Sequence, residues 1–270
     1  MTTAAASTFK EQFETDGYLL VRGLFDSREV EEIRDLFARI HREGVPGFYE
    51  PNQPGEAGTN LADPLNQYPR VMFPHRFNER ARHYLLHPRV AEILGVLFGE
   101  APLGAQTMFY FKPPGSRGQA LHQDNFYLLV EPGTCIAAWT AIDDCDAENG
   151  AMYVVPKTHQ AAISCPEKAD SEVSFTNHFV PVPKGHHTQI LPMKAGDTLF
   201  FNGSCIHGSG PNRSKDRFRR SFISHYVTKS TEKLGRYYKP LLDMEGSEVF
   251  VEANMDGGPC GTPWMDPAMH

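Results

Sequence analysis

The chain has 270 residues, 40% of them hydrophobic and 22% charged, with a formal net charge of −7. That is the composition of a soluble globular protein with a real core. It argues against a nucleic-acid binder, which carries a basic face, and no apolar run approaches the roughly 20 residues a membrane span needs.

Five cysteines, Cys135, Cys145, Cys165, Cys205 and Cys260, show no CxxC spacing and read as free thiols. The opening residues lack the basic and apolar regions of a secretory signal. Both point to a cytoplasmic protein.

In chain order, residues 8–16 have helical spacing and end at Gly17, and Tyr18-Leu19-Leu20-Val21 is β-rich. Asp26 or Ser27 caps a helix reaching to about His41, in which Val30, Ile33, Leu36, Phe37 and Ile40 recur at three and four residues. Residues 44–74 are rich in Gly, Pro, Asn and Gln, and a loop of that length reads as a lid or binding loop. Asn60, Asn66 and Tyr68 within it are candidates for meeting a substrate, as are Asn125, Tyr127 and Asn149 further on. Residues 77–86 and 88–98 read as two more helices, with Pro88 in the first turn and Gly99 at the end of the second.

Beyond Gly99 short β-like runs alternate with Pro and Gly turns, at 105–111, 120–130, 134–142, 151–155, 187–191, 197–201 and 219–228. The pattern predicts an α+β fold in one domain. Helical supports over about 8–99 pack on a β-barrel core over about 103–228, and residues 229–270 form an irregular tail.

Among twelve histidines, two have a carboxylate two positions on. His41 and Glu43 end a helix, where i and i+2 diverge, so they are expected in solvent. His122 and Asp124 fall in a β-like run, where i and i+2 share a face and can bind one metal. Chance gives about 0.6 HxD pairs in such a chain, so the pair gains weight only from a third ligand. His207, flanked by Gly203 and Gly208, can supply it. Two histidines and one carboxylate leave open positions, the arrangement of non-haem iron oxygenases. Cys205 would instead close a structural zinc site, but a small buried thiol is the simpler reading. Further on, Arg219, Ser221, Ile223 and His225 share one strand face, and Arg219 there can clamp a carboxylate bidentately. Arg213, Arg217 and Arg220 read as solvated charge, and His225 as a core histidine.

The segments His122-Gln123-Asp124, Ala138-Trp139-Thr140-Ala141, Asn149-Gly150, Val155-Pro156-Lys157-Thr158-His159, Ala195-Gly196-Asp197, His207-Gly208-Ser209-Gly210-Pro211-Asn212 and Phe218-Arg219 come in an order that resembles the phytanoyl-CoA dioxygenase family, whose bacterial relatives include ectoine hydroxylase. The resemblance covers about residues 13–226. It implies a double-stranded β-helix (a jelly-roll, cupin-like core) and an oxygenase using Fe(II), 2-oxoglutarate and O2 on a small-molecule substrate. By the same resemblance His122, Asp124 and His207 bind iron. Arg219 and Ser209 hold the distal carboxylate of 2-oxoglutarate, and Gln106, Met108 and Trp139 line its pocket. His159 is a structural signature. Relatives that halogenate carry a small residue where this chain has Asp124, so hydroxylation of an unactivated C–H, with release of succinate and CO2, is the expected reaction. Two alternatives stay open: a metal-dependent barrel enzyme that does not use 2-oxoglutarate, and a non-catalytic binding barrel.

Overall fold

A computed structural model describes residues 2–51, 63–255 and 260. The N-terminal helix Thr3–Asp16 is capped by Thr2 and stopped by Gly17, whose φ of +82° suits glycine. The second helix, Ser27–Glu43, opens with a capping box in which Asp26 and Glu29 each accept the other's backbone N–H at 2.9 Å. Its Val30, Ile33, Leu36, Phe37 and Ile40 are all buried, as their spacing predicts. Helices Glu79–Leu85 and Pro88–Phe98 follow.

The larger of two main sheets runs, strand by strand, Tyr18–Val21, Thr198–Asn202, Ile136–Ala141, Ser221–Thr228, Pro102–Tyr110, Leu241–Leu242 and Glu248–Val249, with Val71–Met72 also on Pro102–Tyr110. The smaller runs Gln119–His122, His207–Ser209, Met152–Val154 and Gln189–Leu191. Both are antiparallel throughout.

Period-two alternation sorts the large sheet's two faces. Phe109, Phe200 and Phe222 join the helices in one core, where Phe37 stacks on Phe109 at 4.0 Å between centroids. Their neighbours Met108, Phe201 and Ile223 join Met152, Val154 and Leu191 of the small sheet in another. Helices therefore cover one face and the small sheet the other, and the site lies between the sheets.

Several expectations need correction. The sheets do not close into a barrel among the described residues: they pack face to face instead. The run 120–130 is not one strand. It stops at His122, and Asp124 takes αR angles (φ −62°, ψ −36°) to start the short helix Asn125–Leu128. Tyr127 and Leu128 donate to the Asp124 carbonyl at 2.9 and 3.1 Å, a local turn no Gly or Pro announces. Arg219 precedes its strand, which begins at Ser221. The region after residue 229 is less irregular than expected: Leu241–Leu242 pairs with the long strand at Gly104, and Lys233–Gly235 pairs in parallel with Glu252–Asn254. Leu234, Tyr238 and Leu241 anchor it in a third core with Leu103, Leu128 and Val227.

Cys165 and Cys260 form a disulfide, with Cα atoms 5.5 Å apart, so two of the five cysteines are not free thiols. Their separation of 95 residues carries no spacing signal, and cysteine usage gives no support to a reducing compartment. No helix among the described residues is long and apolar enough to cross a membrane. Of the loop 44–74, residues 52–62, with Asn60, lie outside the described residues.

Candidate metal centre and anion pocket

Strand pairing builds the site's first half. His122 and His207 are directly opposed in the small sheet, so their side chains leave the same face, with ring centroids 4.2 Å apart. Each ring has its orientation fixed from behind. His122 Nδ1 lies 2.8 Å from the Ala120 carbonyl, and His207 Nδ1 2.9 Å from the Cys205 carbonyl. A carbonyl only accepts, so both Nδ1 atoms carry the proton and both Nε2 lone pairs face inward. The turn at Asp124 then brings Oδ1 to 3.5 Å from His122 Nε2 and 3.4 Å from His207 Nε2.

One ligand atom from each of the three lies within 4.8 Å of the others, and all three residues are buried. The pair His122 and Asp124 thus converges, though through a helix turn rather than a shared strand face. Burial pushes the Asp124 carboxyl up, but His207 and His225 outweigh it and hold it well below the usual range. Burial, then His207, lowers the pKa of His122. Two imidazoles beside an ionised carboxylate make a donor set suited to a divalent iron. Gln119 Nε2 donates at 3.1 Å to the His122 Nε2 lone pair, the electron pair a metal would take. Cys205 is fully buried, its thiol pushed up to about 12 by burial, and it is outside this group, so it does not close a zinc site.

A pocket adjoins the triad, and Met108, Trp139, Ser209, Arg219 and His225 help to line it. Arg219 is 3% exposed. Its Nε donates to the Gly150 carbonyl at 3.1 Å, its Nη1 to Ser221 Oγ at 3.0 Å, and its guanidinium carbon sits 5.2 Å from the centre of the Trp139 ring. Burial lowers its pKa to about 10, which leaves it a cation at neutral pH. Gln106 is fully buried but does not reach the pocket wall; it stands opposite His225 in the large sheet.

Two contacts at the site were not anticipated from sequence, one of them made by His225, which is buried as expected of a core histidine. His225 Nε2 lies 3.0 Å from Asp124 Oδ2. Lys112, buried to 2% exposure, donates from Nζ to Ser209 Oγ at 2.9 Å. The shared strand face of His225 and Arg219 hinted at the first, whereas Lys112 sits in a Pro-rich turn with no such signal.

Other candidates resolve into supporting roles. His41 is half-buried rather than solvated, hydrogen-bonded to Tyr49 at 3.0 Å and stacked on Tyr68. Asn149 ties a turn, donating to the Asp144 carbonyl at 2.8 Å. Asn125 accepts from Val130 N at 3.0 Å, and Tyr127 Oη lies 3.0 Å from His178 Nδ1. His159 Nε2 meets the Glu14 carbonyl at 3.1 Å, in keeping with a structural role. Arg217 pairs with Asp146 and Glu148, and Arg220 with Asp143, while Arg213 is exposed.

Fold and site together define a two-sheet antiparallel protein with a buried two-histidine, one-carboxylate donor set beside a cationic pocket. The family model for phytanoyl-CoA dioxygenase (PhyH) matches residues 13–221, and the chain belongs to that family. It is 29% identical over 228 residues to the peroxisomal phytanoyl-CoA dioxygenase of Rattus norvegicus, covering 79% of this chain and 66% of that protein. The chain thus spans slightly less than two thirds of that curated relative. Among solved structures, the epimerase SnoN in complex with Fe3+, alpha ketoglutarate and nogalamycin RO superposes with a TM-score of 0.67 at 24% identity over 86% of each chain. EctD from S. alaskensis with 2-oxoglutarate and 5-hydroxyectoine gives 0.64 at 17% identity, over 86% of this chain and 78% of that one. At these identities the structural likeness speaks for the fold.

Proposed function

We propose that this chain is a non-haem Fe(II)- and 2-oxoglutarate-dependent dioxygenase that hydroxylates an unactivated C–H of a small-molecule metabolite and releases succinate and CO2. The observation that carries this is the convergence of one ligand atom each from His122, His207 and Asp124 within 4.8 Å, beside the buried cation Arg219. The two packed sheets are read as the halves of a double-stranded β-helix, in one catalytic domain.

When bound, the metal supplies O2 activation, with 2-oxoglutarate as the source of the second electron pair. The chain's own residues do the rest. His122, Asp124 and His207 would hold the metal, three donors that do not fill its coordination shell. Arg219 and Ser209 bind the distal carboxylate, and Trp139 and Met108 wall the pocket against water. Gln106 lies off the wall, on the same strand two positions before Met108.

The substrate is read as a small polar metabolite or natural-product intermediate rather than a fatty acyl-CoA. A CoA site needs convergent free cations, and the five arginines that could contribute to one each have a partner within the chain. Arg117 pairs with Asp63 and Arg80 with Glu32, Arg70 donates to Tyr110 Oη at 3.2 Å, and Arg76 and Arg82 donate to the carbonyls of Tyr237 and Gly246.

Anaerobic addition of Fe(II) and then 2-oxoglutarate should give the weak visible absorption of a chelated keto acid, and its absence would sink the reading. Succinate release under O2 against acyl-CoAs, amino-acid derivatives, phosphonates and terpenoid or polyketide intermediates then identifies the substrate class.

A further inference from the structure

Lys112 is held in place at a cost. Among the described residues it is one of four non-glycine residues with positive φ, at +41°. Its carbonyl accepts from the Arg219 backbone N–H at 3.1 Å and from Asn212 Nδ2 at 3.0 Å, which fixes that conformation. Gly150 leaves room for the side chain: a Cβ there would stand 3.0 Å from Lys112 Cε and 2.5 Å from the Gly210 carbonyl oxygen. The result is a buried amine whose only hydrogen bond among the described residues runs to Ser209 Oγ, at 2.9 Å. Neither Lys112 nor Arg219 makes an ion pair with a carboxylate among the described residues.

We propose that Lys112 is a positioning residue for the co-substrate: its ammonium takes the acceptor side of Ser209 Oγ, and so turns the Ser209 hydroxyl proton toward the distal carboxylate that Arg219 clamps. An ammonium has donors only, and a hydroxyl has a single proton. With Nζ donating into Oγ, that proton is free for an acceptor on the pocket side. Lys112 does not itself line the pocket wall; Ser209 does. The relay therefore runs Lys112 to Ser209 to carboxylate.

Charge points the same way. Burial, then the nearby Arg219, pushes the Lys112 pKa well down. A carboxylate arriving beside Arg219 opposes both effects and favours the protonated amine, so anion binding and protonation of Lys112 support one another. The position selects for a keto acid with a second carboxylate.

This inference rests on the 2-oxoglutarate reading, and the test separates the two. Fe(II)-loaded protein is titrated anaerobically with 2-oxoglutarate and with 2-oxopentanoate, which has the same chelating end and no distal carboxylate. The dissociation constant is read from the visible absorption, independently of turnover. Lys112→Met should weaken 2-oxoglutarate about 10–30-fold, as expected for one charge-assisted hydrogen bond, and leave 2-oxopentanoate within about twofold. In a Ser209→Ala background Lys112→Met should add little. Lys112→Gln, uncharged but still a donor, should fall between wild type and Lys112→Met, and carries the comparison if the methionine variant does not fold. Equal weakening of both keto acids, unchanged 2-oxoglutarate binding, or additive losses with Ser209→Ala would overturn the proposal. No absorption with wild-type protein would overturn the functional reading and this inference with it.

Discussion

The outer carboxylate oxygen of Asp124 accepts a hydrogen bond from Nε2 of His225, 3.0 Å away and 101 residues further along the chain. An ionised carboxylate has no proton to give, so Nε2 of His225 must carry one. The bond ties Oδ2 to the central strand of the large sheet, Ser221–Thr228, and leaves Oδ1 facing the two metal-side imidazole nitrogens. His225→Phe should therefore lower divalent-metal affinity by about 10–100-fold, the usual cost of losing a partner behind a ligand. His225→Gln, which can still donate, should recover part of it. Mn(II) binding followed by calorimetry checks both, and equal metal affinity in wild type and His225→Phe would refute the role.

Arg219 should govern the co-substrate and not the metal. Arg219→Ala should raise the 2-oxoglutarate dissociation constant roughly 100-fold, because a buried charge-assisted contact is lost. Mn(II) affinity should stay unchanged. Arg219→Lys should be intermediate, since a point charge cannot keep the contacts to Gly150 and Ser221 together. A 2-oxoglutarate affinity untouched by Arg219→Ala would favour a metal enzyme of another kind.

Lys112 should show opposed effects on binding and stability. An amine buried beside Arg219 without a counter-anion destabilises the fold, and a methionine of similar shape removes that penalty. Lys112→Met should stabilise the apo protein by about 1–2 kcal/mol, or about 2–5 °C in Tm, while binding 2-oxoglutarate less well. Differential scanning calorimetry with and without 2-oxoglutarate reads both effects. A lower apo Tm would contradict the electrostatic account.

His75 makes stability depend on acid. Burial, then Arg76 and Arg82, lowers its pKa from 6.5 to about 3. The folded pKa lies below the unfolded one, so between these values the unfolded chain binds the extra proton and the fold loses stability as pH falls. The group's contribution is complete above about pH 6.5 and declines toward pH 3 by at most about 1.4 kcal/mol per unit. His75→Gln, able to keep a contact to Thr107 Oγ1, which lies 2.7 Å from Nδ1, should flatten this part of the urea-midpoint profile. An unchanged profile between pH 6 and 4 would refute the assignment.

Local pattern carried far in this chain. Five apolar positions at helical spacing placed the buried face of Ser27–Glu43, and the Gly17 and Gly99 stops fell at left-handed caps. Those features depend on neighbours within about four residues, which is the range over which sequence is directly informative. The triad was also legible, as residue types in order, although the strand face expected to let His122 and Asp124 share one metal is not the geometry the fold uses. The chain turns into a helix at Asp124.

Sequence alone thus determined the α+β class, the helical first third, and the residues able to hold a metal and an anion. Only the tertiary structure decided that two open sheets pack face to face, that Cys165 meets Cys260, that His225 reaches Asp124 and that Lys112 reaches Ser209. The physical reason is separation along the chain. Lys112 and Ser209 are 97 positions apart and meet through a positive-φ turn and the room left at Gly150. Neither periodicity nor spacing encodes such a meeting, because it follows from how the packed sheets bring distant backbone together.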